Sequence, residues 1–130
     1  MLCIIQARMS STRLPGKSIK TISKIPLLEI IYKRLKKSKM INKIVIATST
    51  DKSDDAIIRL CKKNKFNFYR GPLDNVLKRF LNCVEVNKKN YFIRITGDSP
   101  LVDYKLIDKI EKKFNKKKVD LATNVFPRTY

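Results

Sequence analysis

The sequence predicts an α/β fold with a mostly parallel sheet, and three observations carry that expectation. Short β-rich runs alternate with helical stretches of about 10–15 residues, the rhythm of βαβ units. The chain has three glycines, Gly16, Gly71 and Gly97. Each follows a strand-like run, so all three can lie on one rim of the sheet, where tight turns and close backbone approach are needed. With 130 residues, 43% hydrophobic and 32% charged, the chain is long enough for one cored domain spanning 1–130.

Each element has its own reason. Leu2-Cys3-Ile4-Ile5 is a buried strand pattern over 2–6, ended by the polar turn Ala7 to Lys17. From Pro26 to Lys37, Leu27, Leu28, Ile30, Ile31 and Leu35 recur at helical spacing. Lys43 to Thr48 is the second β-rich run. Asp51 to Lys63 reads as a helix opened by Ser53, Asp54 and Asp55, with Ala56, Ile57, Leu60 and Cys61 facing inward. Phe66 to Tyr69 is a short strand leading into the loop Arg70-Gly71-Pro72. Asp74 begins a third helix that buries Val76, Leu77, Phe80, Leu81, Val84 and Val86. Tyr91 to Ile95 is the fourth strand, Asp103 to Phe114 the fourth helix, and Val119 to Thr123 the start of a fifth strand. The chain then ends at Asn124–Tyr130 with no closing helix, which reads as a domain truncated at its C-terminus with an open sheet edge.

Composition removes several functions. There is no histidine, which excludes Ser-His triads, histidine acid–base catalysis and most zinc sites. Cys3, Cys61 and Cys83 are widely spaced inside apolar patterns and read as buried hydrophobes in a reducing compartment. No apolar run approaches the about 20 residues of a membrane helix, and Met1 leads straight into a strand, so the expected location is the cytoplasm. The net charge of +19 raises nucleic acid as a partner, and retention on heparin with a steep salt slope would be its mark. However, the charge is mostly lysine dispersed over helix faces, without an aromatic strand face or recognition helix, so a solvated surface is the better reading.

Three loops carry the chemistry. The first offers Arg8, Ser10, Ser11, Thr12, Arg13 and Lys17 at the C-terminal edge of a strand, where open α/β sheets bind ligands. Backbone N–H groups and hydroxyls there can wrap phosphate oxygens while the cations neutralise them. Neither G-x-x-x-x-G-K-[ST] nor G-x-G-x-x-G is present. The second loop, Arg70 to Asn75, mixes groups able to pair with a base or ribose, and equally reads as a helix cap at Asp74. The third, Gly97-Asp98-Ser99-Pro100-Leu101, places one carboxylate at a strand's end. A carboxylate with phosphate oxygens is the usual Mg²⁺ set, although an Asp there also serves as a helix cap.

Ile4-Ile5-Gln6-Ala7-Arg8 with Ser11-Thr12-Arg13-Leu14-Pro15-Gly16-Lys17 resembles the nucleotide-binding signature of the sugar-activating cytidylyltransferases, the synthetases of CMP-3-deoxy-manno-octulosonate and CMP-acylneuraminate. Val45–Ser49, Arg70-Gly71 with Asp74–Leu77, Arg94–Leu101 and Pro127–Tyr130 follow in the order and spacing of the spore coat polysaccharide biosynthesis protein F branch. The resemblance implies a three-layer Rossmann-like nucleotidyltransferase (nucleotide-diphospho-sugar transferase) fold. It also implies transfer of a CMP group from CTP to a sugar or sugar acid. Ala7, Arg8, Ser11, Arg13 and Lys17 would bind CTP, with Arg13 and Lys17 on its phosphates. Asp98 would bind Mg²⁺ and orient the α-phosphate, and Arg70 to Asp74 would lie near cytosine and ribose. The family's second metal-binding acid, much of its sugar pocket and the segment that makes its homodimer fall further along than Tyr130. A non-catalytic nucleotide-binding fragment, or half of a split enzyme, is the alternative.

Overall fold

The computed structural model describes residues 1–11, 14–117 and 119–124. In chain order come β1 (Leu2–Gln6), the short pair β2 (Thr21–Ile22) and β3 (Ile25–Pro26), α1 (Leu27–Leu35), β4 (Lys43–Ser49) and α2 (Asp55–Lys63). They are followed by β5 (Phe68–Gly71), α3 (Val76–Val86), β6 (Phe92–Thr96) and α4 (Tyr104–Lys117). The main sheet runs β5-β4-β1-β6, and each of its pairings is parallel. In the register of β1, Ile4 lies opposite Val45 on one side and Arg94 on the other.

Alternate strand residues face opposite sides of a sheet. Cys3, Ile5, Ile44 and Ile46 therefore pack on one face against Leu28, Ile31 and Leu35 of α1, Ile57 and Cys61 of α2, and Ile107 of α4. Leu2, Ile4, Val45 and Ala47 turn to the other face and meet Phe80 and Cys83 of α3. The result is the expected three-layer α/β architecture, with a sheet that is central, parallel and buried on both faces along β1 and β4. All three cysteines are free and buried; burial pushes Cys83 up to about 11 and Cys3 and Cys61 up to about 12, so they are inert thiols. Among the described residues no helix is long and apolar enough to cross a membrane.

Several elements differ from the sequence expectation. The third strand of the main sheet starts two residues late, because Phe66 is used for stacking on Tyr32, with ring centroids 3.8 Å apart, before pairing begins. Arg70 and Gly71 are thereby strand residues, not loop residues. Asn75, not Asp74, caps α3, accepting the Lys78 N–H at 2.8 Å. Leu77, Leu81 and Val86 stay exposed, while Phe80, Cys83 and Arg79 fill the inward stripe of that helix. No strand forms over 119–124, and Leu121 is 80% exposed. Pro127 to Tyr130 lie outside the described residues.

Candidate functional site

Parallel strands all end on one side, and the polar segments collect there. β1 runs on through Ala7, whose N–H donates to the Ala47 carbonyl at 3.1 Å. The following turn closes on Met9, whose carbonyl accepts the N–H groups of Ser11 at 2.9 Å and Gly16 at 3.0 Å. Gly16 has φ 70°, the left-handed conformation that glycine takes without a Cβ penalty, and it launches a single 3₁₀ turn at Lys17–Ile19.

The end of β6 presses on the same place. The Gly97 N–H donates to the Gln6 carbonyl at 2.8 Å. A Cβ on residue 97 would stand 2.7 Å from that oxygen and 3.2 Å from the Ala7 Cβ, so only glycine permits this approach. Asp98 follows, and its carboxylate forms an ion pair with the Lys17 ammonium. The Lys17 hydrogen bond holds the Asp98 carboxyl below the usual carboxylate range, against burial, which alone would raise it. Around them Thr96 and Ser99 share a hydroxyl hydrogen bond at 2.8 Å, and Arg94 donates to Gln6 Oε1 at 2.9 Å.

The structure thus brings Ala7, Lys17 and Asp98 together from two strands and a turn. Arg8 is exposed beside them, its carbonyl accepting the Ser18 hydroxyl at 3.4 Å, and Ser11 is half-buried in the turn. Arg13 lies outside the described residues. Arg70 is two strands away from β1, about 10 Å at ordinary strand spacing. Its guanidinium is bound to the framework: Nε donates to the Ser49 carbonyl at 2.8 Å, Nη2 to the Asp51 carbonyl at 2.9 Å, and Nη1 pairs with Asp55 at 2.8 Å. Asp74 is exposed in the bend before α3.

Two charged residues at this rim escape sequence reasoning. Asp54 reads as one of several acids opening a helix, yet it is 1% exposed and linked to the turn. Arg79 reads as a surface helix cation, yet it is 0% exposed; Nη1 donates to the Pro72 carbonyl at 2.8 Å, while Nε and Nη2 have no protein partner. Burial depresses the Arg79 pKa and the charge of Asp54 opposes that, so the two groups feel each other. Arg79 also occupies the space beside Gly71, where an added Cβ would meet its Cγ at 2.8 Å.

The arrangement suits a polyanionic ligand with an associated cation. A phosphate chain can take donors and cations from the turn, while the Asp98 carboxylate is available at the rim once Lys17 turns to phosphate. Among the described residues no group of three or more His, Cys, Asp or Glu side chains could hold a metal by itself, so a cation here would draw most of its ligands from the substrate. Two open depressions of about 340 and 350 Å³ lie elsewhere, lined by Lys43, Phe66–Tyr69 and Asn87 or by Met1, Asn42 and Lys88–Tyr91. They flank the N-terminal ends of the strands, away from the rim where a parallel sheet binds its ligands.

Comparison with known proteins gives the family. The family model described as cytidylyltransferase matches residues 2–129. The spore coat polysaccharide biosynthesis protein SpsF of Bacillus subtilis is 43% identical over 112 residues, covering 83% of this chain and 47% of that protein. The structure of a cytidylyltransferase from Leptospira borgpetersenii superposes with a TM-score of 0.90 at 34% identity, covering 99% of this chain and 56% of that one. A CMP:2-keto-3-deoxy-manno-octonic acid synthetase complexed with CTP shares the fold, with a TM-score of 0.77 at 19% identity over 91% of this chain and 48% of that one. The chain spans about half the length of the relatives it matches. On the family model and these identities, the chain belongs to the cytidylyltransferase family.

Proposed function

We propose that this chain is the nucleotide-binding part of an enzyme that transfers a CMP group from CTP to a sugar or sugar acid in the cytoplasm, releasing pyrophosphate, for surface or spore-coat polysaccharide synthesis. The meeting of Lys17 and Asp98 at the C-terminal rim carries this reading. The named ligand of the CTP-bound synthetase that shares the fold supports the choice of nucleotide.

In the reaction a sugar oxygen attacks the α-phosphorus of CTP. The bond to the bridging oxygen breaks, pyrophosphate leaves with that electron pair, and the sugar's proton passes to solvent. The chain's task is positioning and charge neutralisation. Lys17 exchanges Asp98 for a phosphate oxygen; Arg8 and Arg13 add charge, and Ser11 adds a hydroxyl. Ala7 and Gly97 leave the backbone room for close approach. Asp98, freed from Lys17, with phosphate oxygens makes the hard oxygen set that Mg²⁺ takes, and when bound the ion would offset the charge of the leaving group. Arg70 contributes by holding the ends of β4 and α2, with Asp74 facing the nucleoside from the next bend.

Calorimetry with CTP tests the reading. Lys17→Ala and Arg13→Ala each weaken CTP binding by about 1.5–3 kcal/mol, the scale of a hydrogen bond to a charged group. Unchanged affinity in both variants refutes the assignment.

A further inference from the structure

Asp54 sits in none of the motifs that point to the nucleotide, yet it has the most fully used carboxylate at the rim. Oδ1 accepts the Met9 N–H at 2.7 Å. Oδ2 accepts the Thr48 hydroxyl at 2.8 Å, the Ser49 N–H at 2.9 Å and the Ser49 hydroxyl at 2.5 Å. Four donors match the roughly four lone-pair sites of a carboxylate. The ordinary explanation for an Asp at this position is a helix cap, but Asp54 makes no side-chain bond to the helix it precedes. Asp51 supplies the local cap instead, accepting the Ser53 N–H at 2.8 Å. The Asp54 carboxylate is directed back across the rim, to the end of β4 and to a turn 45 residues earlier.

What it holds there is the neck of that turn. The Met9 carbonyl gathers both limbs, through the Ser11 and Gly16 N–H groups, and the Met9 N–H is the matching anchor to the framework. Ser11 lies inside the loop so closed, and Lys17 follows directly on Gly16. We propose that Asp54 is a positioning residue that fixes the nucleotide turn at Met9 and so sets where Ser11 and Lys17 meet the phosphates. Asp54 does not touch the nucleotide; it acts through the Met9 peptide. The CTP part of this inference rests on the function proposed above, whereas the ordering of the turn does not.

Asp54→Asn is the informative variant because every neighbour of the carboxylate is a donor. The Asn side chain keeps the three donors of Thr48 and Ser49 by placing its oxygen at the Oδ2 position, which turns its amide nitrogen toward the Met9 N–H and leaves that group without its acceptor. Hydrogen exchange on the ligand-free protein should show the amides of Met9, Ser11 and Gly16 exchanging about tenfold faster or more, with β1 and β4 unchanged. CTP affinity, measured where circular dichroism shows the variant folded, should fall by about the same factor. Leu35→Ala, a cavity in the α1 core, is the control: it lowers the melting temperature but leaves the turn's exchange and the CTP affinity alone. If Asp54→Asn behaves like this control, the positioning role is wrong. If Asp54→Asn does not fold, Ser49→Ala keeps the charge and removes one of its anchors; faster exchange confined to the turn supports the role, and unchanged exchange overturns it. A wild-type protein that binds no CTP refutes the proposed function, while the exchange measurement still decides the role of Asp54.

Discussion

Asp54 shows how much a buried carboxylate depends on its donors. Burial alone would raise its pKa, but the hydrogen bonds from Ser49, Met9 and Thr48 outweigh that and hold it below the ordinary value of 3.8. A carboxyl depressed in the folded state contributes stability that is present above the unfolded pKa and lost as pH falls through the folded one. The urea midpoint of the wild type should therefore drop steeply on acidification below about pH 4, and that of Asp54→Asn should drop less. Equal acid sensitivity in the two proteins would show that other carboxylates dominate. The residue-scale reading of the sequence singled out Lys17 and Asp98, because cations and a carboxylate stand next to glycines at strand ends, and the structure joins the two in an ion pair. It missed Asp54 because Ser53-Asp54-Asp55 also makes a good helix start, and only tertiary placement tells a cap from an anchor. Arg79 was hidden for the same reason: i,i+4 spacing puts it on the stripe of Cys83, but nothing local says that stripe faces the sheet.

At the scale of elements, alternation and periodicity located β1, β4, β6 and the four helices to within a few residues. The failures have physical causes. Phe66 is a β-favouring residue spent on stacking with Tyr32, which displaced the expected strand. The β2–β3 hairpin has no Asn-Gly or Asp-Gly; Ser23 and Lys24 adopt φ 49° and 67° at its tip, so the usual signal was absent. The expected fifth strand over 119–123 had suitable residues, yet the segment takes no strand conformation. The contact between β1 and β6 is the element-scale feature most open to test, because one residue limits it. Gly97→Ala must move a Cβ that would lie 2.7 Å from the Gln6 carbonyl, and the obstruction is backbone. The variant should lose about 1–3 kcal/mol of stability, the cost of overpacking, and should weaken CTP binding by carrying Asp98 away from Lys17. Chemical denaturation and calorimetry measure the two effects, and a wild-type stability in Gly97→Ala would show that β6 can shift without cost.

The whole molecule adds a field to these contacts. Thirty basic residues against 11 acidic ones give +19, and no single lysine cluster accounts for it. A dispersed positive coat attracts any polyanion and is screened over about 8 Å at physiological salt, whereas an ion pair in direct contact is screened much less. The two contributions to CTP binding are therefore separable. Raising salt from about 0.05 to 0.5 M should weaken CTP binding to wild type and Lys17→Ala alike, since both keep the coat. The ratio of their affinities should stay nearly constant, because the contact proposed between Lys17 and a phosphate is short-ranged. A ratio that collapses toward one in high salt would mean that Lys17 acts only as one more charge in the field. The same titration bears on nucleic acid: if the dispersed lysines are all that attracts RNA, it should be released over the salt range in which the proposed CTP binding persists.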